Sequence, residues 1–213
     1  MTKCSVLISS HIQMSCLWRS HALCNFLFRM TLGKAAVRVV NLGRISYGQA
    51  LQVQQKHVRQ HLDKSSEVPN TLLLCEHHPV YTIGIRQAPY SAEEEEKLKS
   101  LGAEFFRTNR GGLITFHGPG QLVCYPVLNL GCFKKSVRWY VCELEKTVIG
   151  LCSKFGIKAA TSPDTGVWVG DNKICAIGVL NCHFDYEKGK ARICLLIVSS
   201  MLITDACVCA KHF

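Results

Sequence analysis

The residue types best suited to chemistry are concentrated in one glycine-rich segment, residues 107–121. Four glycines and a proline fall within ten residues there, and glycine lets backbone N–H groups approach a ligand closely. Arg110 adds a permanent charge whose fork geometry suits phosphate or carboxylate. His117 can hydrogen-bond a carbonyl or thioester oxygen, or position a nucleophile. The alternative is a pair of tight turns between strands, with Arg110 on the surface and His117 packed.

The spacing of these glycines excludes the two common nucleotide-binding motifs. The segment matches neither the phosphate-binding pattern G-x-x-x-x-G-K-[ST] nor the dinucleotide pattern G-x-G-x-x-G. We therefore expect no nucleotide cofactor at this segment.

The 13 cysteines indicate a reducing compartment and no metal site. Their number is odd, and a chain of 213 residues is much longer than the small domains that depend on disulfides. Cys75, Cys124 and Cys152 each follow apolar residues, where a free thiol packs as a small apolar group. The close group Cys207, Cys209 and His212 lacks the further ligands of a zinc site.

The net charge of +10 is concentrated at the N-terminus. Residues 1–62 contain eight of the 25 basic residues and none of the 15 acidic ones. This composition is typical of an organelle transit peptide, which we place at residues 1–33. A nucleic-acid-binding arm would be richer in Lys and Arg, so we expect no nucleic-acid partner. An extension without function, with Met30 as an internal start, is the other alternative.

The chain has no run of about 18 apolar residues, so we also expect no membrane span.

Local signals predict three helices among many short strands. Ser46 can cap a helix over residues 47–62, Ser91 and Glu94 form a capping box for residues 92–100, and a third helix runs from Ser136 to Gly156. Strands are predicted at residues 36–40, 71–75, 80–83, 105–106, 113–116, 121–130, 166–169 and 173–179. The apolar run 193–203 predicts a buried strand or a short helix. The order favours an α+β or mixed α/β fold with one mixed sheet and helices on one face.

Two stretches resemble the signature of the lipoyl(octanoyl) transferases. Residues 110–126, Arg-Gly-Gly-Leu-Ile-Thr-Phe-His-Gly-Pro-Gly-Gln-Leu-Val-Cys-Tyr-Pro, closely resemble the family's first motif, and residues 165–179 resemble its second. The resemblance covers residues 35–179 and implies a biotin/lipoate protein ligase-like fold for that domain. Residues 180–213 form a tail that does not resemble the family.

The resemblance implies an acyl transfer through a cysteine thioester, without ATP, metal or cofactor. The donor would be octanoyl-acyl carrier protein. The acceptor would be a lysine of a lipoyl-domain protein, such as the glycine cleavage H protein or a 2-oxoacid dehydrogenase E2 subunit. Together with the leader composition, this places the protein in the mitochondrial matrix.

The resemblance also implies site residues. Lys173 would lie beside the nucleophilic cysteine, where an ammonium lowers the thiol pKa from ~8.5 toward 7 or below, and once neutral it could take a proton from the incoming amine. The acyl pocket would be lined by Arg110, Gly111, Gly112, Leu113, Ile114, Thr115, Phe116, His117, Ala176, Ile177 and Gly178.

The sequence departs from the family after Val179. The Arg, the His-Gly-Leu-Ala element and the Pro-Cys-Gly that carries the nucleophile do not occur in residues 180–213. Cys207 lies a little over thirty residues after Lys173, but without the flanking Pro and Gly we do not assign it. Two functions stay open: an active octanoyltransferase, or an inactive member that binds acyl carrier protein or lipoyl domains. We expect a sheet that lacks strands and exposes an edge.

Overall fold

The computed structural model describes residues 37–63, 68–85, 90–111, 113–180 and 194–202, the last range by its backbone. Three helices and nine strands occur in these ranges. They are β1 (Val37–Ile45), α1 (Tyr47–Leu62), β2 (Asn70–His77), β3 (Val80–Ile83), α2 (Ala92–Ser100), β4 (Glu104–Arg107), β5 (Thr115–His117), β6 (Gln121–Asn129), α3 (Val137–Lys154), β7 (Val167–Val169), β8 (Asn172–Leu180) and β9 (Cys194–Leu202). The predicted mixed α/β class is confirmed.

The strands form two sheets, where the sequence predicted one. The larger has the order β1-β2-β6-β9-β8-β7, and the smaller has the order β4-β3-β5. Only the pairs β1–β2 and β3–β4 are parallel among the paired strands of the described ranges. The chain passes from one sheet to the other at His78 and Pro79, between β2 and β3. The turn at these two residues follows β2 of the large sheet, and β3 of the small sheet begins directly after it.

The helices cover both faces of the large sheet, which corrects the prediction of one face. Leu73 and Cys75 of β2 pack in one core cluster with Ala50 of α1. The alternate residues, Leu72 and Leu74, pack in another cluster with Leu151 of α3. Because successive side chains of a strand point to opposite faces, α1 and α3 lie on opposite sides of the sheet.

The helix boundaries follow the capping residues that the sequence predicted. Ser46 accepts a hydrogen bond from the Gln49 amide at the start of α1, and Ser91 and Glu94 form the full capping box of α2. Ser136 caps α3 in the same way. Gly156 follows α3 with a φ of 71°, the left-handed conformation expected of a glycine after a helix.

The apolar run near the C-terminus is a strand in the middle of the large sheet. Residues 194–202 pair antiparallel with β6 on one side and with β8 on the other. The tail that does not resemble the family thus supplies a central strand, and β1 and β7 form the edges of this sheet. Residues 1–33 and the group at Cys207, Cys209 and His212 lie outside the described residues.

Two buried histidines connect the sheets. His77 ends β2 and His117 ends β5, and their ring centroids are 6.1 Å apart. His77 donates from Nδ1 to the Ile45 carbonyl (2.9 Å) and accepts at Nε2 from the Tyr125 hydroxyl (2.6 Å). His117 donates from Nδ1 to Gln121 Oε1 (2.8 Å). Burial lowers the pKa of His77, and it lowers the pKa of His117 to about 3.

The turn into β7 is held by a glycine that has no room for a side chain. Gly166 has a φ of 136°, and its amide donates to Oε1 of the buried Glu145 in α3 (2.9 Å). A Cβ at this position would overlap the Cys175 carbonyl oxygen and lie 3.3 Å from Cε of Lys173. The turn is therefore packed tightly between α3 and β8.

The buried histidines predict a loss of stability in acid. In the unfolded chain a histidine binds its proton near pH 6.5, whereas folded His117 stays neutral down to about pH 3. The unfolded state therefore binds more protons throughout that window, and stability falls as pH drops below 6.5. At pH 5 His117 alone would lower the free energy of unfolding by about 2 kcal/mol relative to pH 7.5.

Urea unfolding at both pH values measures this loss. The variant His117→Gln has no titrating ring and should show a smaller difference between the two values. An unchanged pH dependence in that variant would show that His117 does not cause it.

The tight packing around Gly166 predicts a large loss of stability when one methyl group is added there. Gly166→Ala should lower the free energy of unfolding by about 2–3 kcal/mol, because the strained backbone and the overlap with Cys175 add together. Gly170→Ala is the matched control, with a φ of 58° and no heavy atom within 4 Å of the added Cβ. This variant should lower the free energy of unfolding by about 1 kcal/mol, which is the cost of the left-handed backbone conformation for a residue with a side chain. Equal losses of unfolding free energy for the two variants in chemical denaturation would show that the tight packing around Gly166 has no effect.

Candidate functional site

Arg110 is buried at the junction of the two motifs, and not on the surface as the alternative interpretation has it. Its side chain is only 4% exposed. Nη2 donates to the Thr82 carbonyl (2.6 Å), to the Thr82 hydroxyl (2.9 Å) and to the Leu113 carbonyl (2.9 Å), while Nη1 donates to the Gly111 carbonyl (3.0 Å). All four acceptors are neutral oxygens. The guanidinium thus binds its own loop and the end of β3.

The buried charge is tolerated because carbonyl dipoles surround it. Burial lowers the pKa of Arg110, yet an arginine stays protonated at neutral pH. Hydrogen bonds to a charged group stabilise by about 1.5–3 kcal/mol each, more than neutral ones do. The charge is therefore used to hold the backbone carbonyls of Gly111 and Leu113.

This loop packs directly on β8, so the two sequence motifs meet. The Gly111 amide donates to the Val179 carbonyl (3.0 Å). A Cβ on Gly178 would lie 3.3 Å from the Gly111 carbonyl oxygen and 3.5 Å from Cδ of Arg110. Glycine at 178 lets the loop approach the strand this closely. The structure thus brings Arg110, Gly111 and Gly178 together.

Apolar side chains are exposed beside this junction. Leu113 is 51% exposed and Phe116 is 40% exposed. Ile85, which is 63% exposed, donates its amide to the Arg110 carbonyl (2.8 Å) and so lies at the same loop. The Phe116 ring packs against Tyr81, with ring centroids 5.0 Å apart. An apolar rim of this kind suits an alkyl chain better than a charged ligand.

The remaining predicted pocket residues divide between the rim and the core. Thr115 begins β5, and Ile114 precedes it with its amide 3.5 Å from the Tyr90 hydroxyl. Ala176 shares a face of β8 with Gly178, whereas Ile177 packs toward Tyr140 of α3 on the opposite face. Ile177 therefore supports the strand from behind. Gly112 lies outside the described residues.

His117 is fully buried, and both of its ring nitrogens face protein atoms. Nδ1 donates to Gln121, and Nε2 lies 3.4 Å from the Thr82 hydroxyl. Through these contacts the ring connects β5 to β3, at Thr82, and to β6, at Gln121.

Lys173 lies at the start of β8, within the second motif. Its Nζ donates to the Thr165 carbonyl (3.1 Å) and lies 4.8 Å from the centroid of the Trp168 ring. The Trp168 indole N–H in turn contacts the Asp164 carbonyl at 3.3 Å. These contacts orient the ammonium over the β7–β8 hairpin.

The buried thiols of the described part of the chain have the packing role that the sequence predicted. Burial raises the pKa of Cys75, Cys124 and Cys152, that of Cys124 to about 12. These three are protonated thiols at neutral pH, which makes them poor nucleophiles. Cys207 lies outside the described residues.

Sequence reasoning missed Thr82. It is fully buried and binds Arg110 through both its carbonyl and its hydroxyl. Its only signal was a hydroxyl in the middle of the apolar run 80–83, a position where a polar group needs a partner.

Within the described ranges, no helix is long and apolar enough to cross a membrane. The same residues contain no group of three or more His, Cys, Asp or Glu side chains that could hold a metal ion.

Comparison with solved structures shows the fold. A bi-partite lipoate protein ligase from Thermoplasma acidophilum superposes with a TM-score of 0.57 at 18% identity, covering 79% of this chain and 62% of that one. A lipoate-protein ligase A bound with ATP superposes with a TM-score of 0.54 at 15% identity, covering 79% and 66%.

Comparison with curated proteins shows much nearer relatives. The mitochondrial octanoyl-[acyl-carrier-protein]:protein N-octanoyltransferase of Danio rerio is 73% identical over 165 residues, 78% of this chain and 74% of its own length. The Homo sapiens protein of the same name is 46% identical over 154 residues, 68% and 66% of the two chains. An octanoyltransferase of Thermoanaerobacter is 44% identical over 147 residues, 66% and 62%.

The family model described as the lipoyl protein ligase A/B catalytic domain matches residues 46–184, which include both motifs and the junction between them. This chain belongs to that family.

Proposed function

We propose that this protein is a mitochondrial octanoyltransferase, which transfers an octanoyl group from acyl carrier protein to a lysine of lipoyl-accepting proteins. The observation that carries the proposal is the junction of the two motifs, where Gly111 hydrogen-bonds β8 beside Gly178. The Danio rerio and Homo sapiens relatives, whose names state this activity and a mitochondrial location, support it. The acid-free N-terminal composition agrees with mitochondrial import.

The reaction is a double acyl exchange. A cysteine thiolate attacks the thioester carbonyl of the octanoyl donor, and the carrier's thiolate leaves and takes up a proton. The acceptor lysine amine then attacks the octanoyl-cysteine thioester, an amide forms, and the cysteine thiolate is released as the amine loses its proton. We assign Lys173 to stabilise the thiolate as an ammonium and to give its proton to the departing carrier thiolate. The lysine, now neutral, then accepts the proton of the attacking amine.

The apolar rim would bind the octanoyl chain. Leu113 and Phe116 offer exposed apolar surface, and burying it against an alkyl chain is favourable by roughly 25 cal/mol per Å². Ala176 and Gly178 would form the opposite wall on β8, where the glycine lets the loop pack against the strand. The side chains of Arg110 and His117 are engaged in hydrogen bonds within the protein. These two residues would therefore support the pocket wall without contacting the acyl chain.

For the acceptors we propose the glycine cleavage H protein and the E2 subunits of 2-oxoacid dehydrogenases. A lipoyl-accepting lysine must reach a thioester held at the junction of the motifs, so the acceptor surface must approach the edge where Gly111 meets β8.

The activity is tested by trapping the acyl-enzyme. The full chain is mixed with octanoyl-acyl carrier protein, and its intact mass is measured before and after hydroxylamine treatment. We expect one octanoyl adduct that hydroxylamine removes, because thioesters are labile to it, and peptide mapping then identifies the cysteine.

Variants separate the proposed chemistry from adventitious acylation. Lys173→Ala should slow adduct formation at least tenfold, because the thiolate loses its neighbouring ammonium. Lys158→Ala, a change at an exposed lysine outside both motifs, should leave the rate unchanged. A folded protein that forms no adduct would contradict the transferase and leave binding of acyl carrier protein or lipoyl domains as its function.

A further inference from the structure

A line of hydrogen bonds crosses the small sheet from Arg110 to the Phe116 carbonyl. Arg110 Nη2 lies 2.9 Å from the Thr82 hydroxyl, which lies 3.4 Å from His117 Nε2. His117 Nδ1 is 2.8 Å from Gln121 Oε1, and Gln121 Nε2 is 3.3 Å from the Phe116 carbonyl oxygen. All four side chains are buried, so each polar atom depends on its protein partner.

The two ends of the line determine the direction of every bond in it. The Phe116 carbonyl can only accept, so the Gln121 amide nitrogen faces it and Oε1 faces His117. Oε1 can only accept as well, so the hydrogen of the neutral ring lies on Nδ1 and the lone pair on Nε2. At the other end Arg110 can only donate. The Thr82 hydroxyl therefore accepts from Arg110 and donates to His117.

The Thr82 hydroxyl has one competing acceptor. The Thr115 carbonyl lies 3.5 Å from Oγ1, at a distance similar to that of His117 Nε2. Bonds that run in one direction polarise each other, and a hydroxyl that already accepts from a guanidinium is a better donor. An unpaired lone pair on fully buried Nε2 would carry a desolvation penalty, which favours donation by the hydroxyl to His117.

We propose that Thr82 is a positioning residue of the acyl-transfer site, whose hydroxyl joins the Arg110 loop to β5 through His117. The inference rests on the proposed function for the nature of the ligand. Thr82 does not touch the acyl chain. It keeps Leu113, on the loop, and Phe116, on β5, in a fixed relation, and these two provide exposed apolar surface of the rim together with Ile85.

The hydrogen-bond line is tested by nitrogen NMR of the His117 ring in the full chain labelled with ¹⁵N. The wild type should show a neutral ring protonated at Nδ1, with an Nε2 resonance typical of a hydrogen-bonded lone pair. In Thr82→Val, which keeps the shape and loses the hydroxyl, the Nε2 resonance should move to that of a free lone pair. Thr82→Ser should restore it. A wild-type ring protonated at Nε2 overturns the proposal without any variant.

The positioning role is tested by binding of a non-hydrolysable thioether analogue of octanoyl-pantetheine. Thr82→Val should weaken binding roughly threefold to tenfold, the effect of one buried hydrogen bond, while Thr82→Ser binds as the wild type does. Thr147→Val is the matched control, since it removes a buried hydroxyl that binds only the Glu143 carbonyl within α3 (2.6 Å). It should change neither the His117 resonances nor the affinity.

The outcomes separate the two proposals. If the ring resonances behave as expected but the analogue does not bind even the wild type, the transferase assignment fails and the hydrogen-bond line stands. If Thr82→Val alters neither the Nε2 resonance nor the affinity for an analogue that the wild type binds, the positioning role of Thr82 is wrong.

Discussion

The site depends on one buried charge. Arg110 lies inside the protein with its guanidinium against neutral carbonyl and hydroxyl oxygens of the loop and of β3. Removing a charge from water costs several kcal/mol, and a site of this kind is stable only when nearly every donor is satisfied. A single lysine could not replace it, because an ammonium cannot reach several acceptors in the fork geometry that the guanidinium uses. The positions of the Gly111 and Leu113 carbonyls follow from this requirement.

The rest of the fold supplies the surroundings that the buried charge needs. β3 presents Thr82 because the short sheet β4-β3-β5 branches from the large sheet after His77. β8 presents Gly178, whose missing side chain lets the loop pack against the strand. Helix α3 supports β8 from one face of the large sheet, with Ile177 packed toward it. The loop is thus fixed on two rigid elements, as a binding wall requires.

Local signals in the sequence predicted what depends on local interactions. The caps at Ser46, Ser91 and Ser136 each act over three residues, and each marks a helix start in the structure. The number of sheets and the faces covered by helices depend on contacts between distant residues, and both predictions were wrong in detail. A signal for the second was present: the unbroken apolar run Leu72–Cys75 is typical of a strand buried on both faces.

The candidate site was predicted from motif resemblance, and the burial of Arg110 was not. Its charge suggested a ligand anion, but its partners come from Thr82, 28 positions away, and from carbonyl oxygens that no residue type reveals. His117 is similar, since its Nδ1 bond to Gln121 depends on the turn between β5 and β6. The function itself follows from family membership and the named relatives, to which the structure adds a physical reason for the first motif.

Hydrogen exchange at the Gly111 amide tests this account most directly. That amide donates to the Val179 carbonyl only while Arg110 holds the loop on β8. We expect this amide to exchange as slowly as the amides of β6, because releasing it requires opening the packed junction. Exchange as fast as that of an unprotected surface amide would contradict the account, since the loop would then not be fixed to the strand.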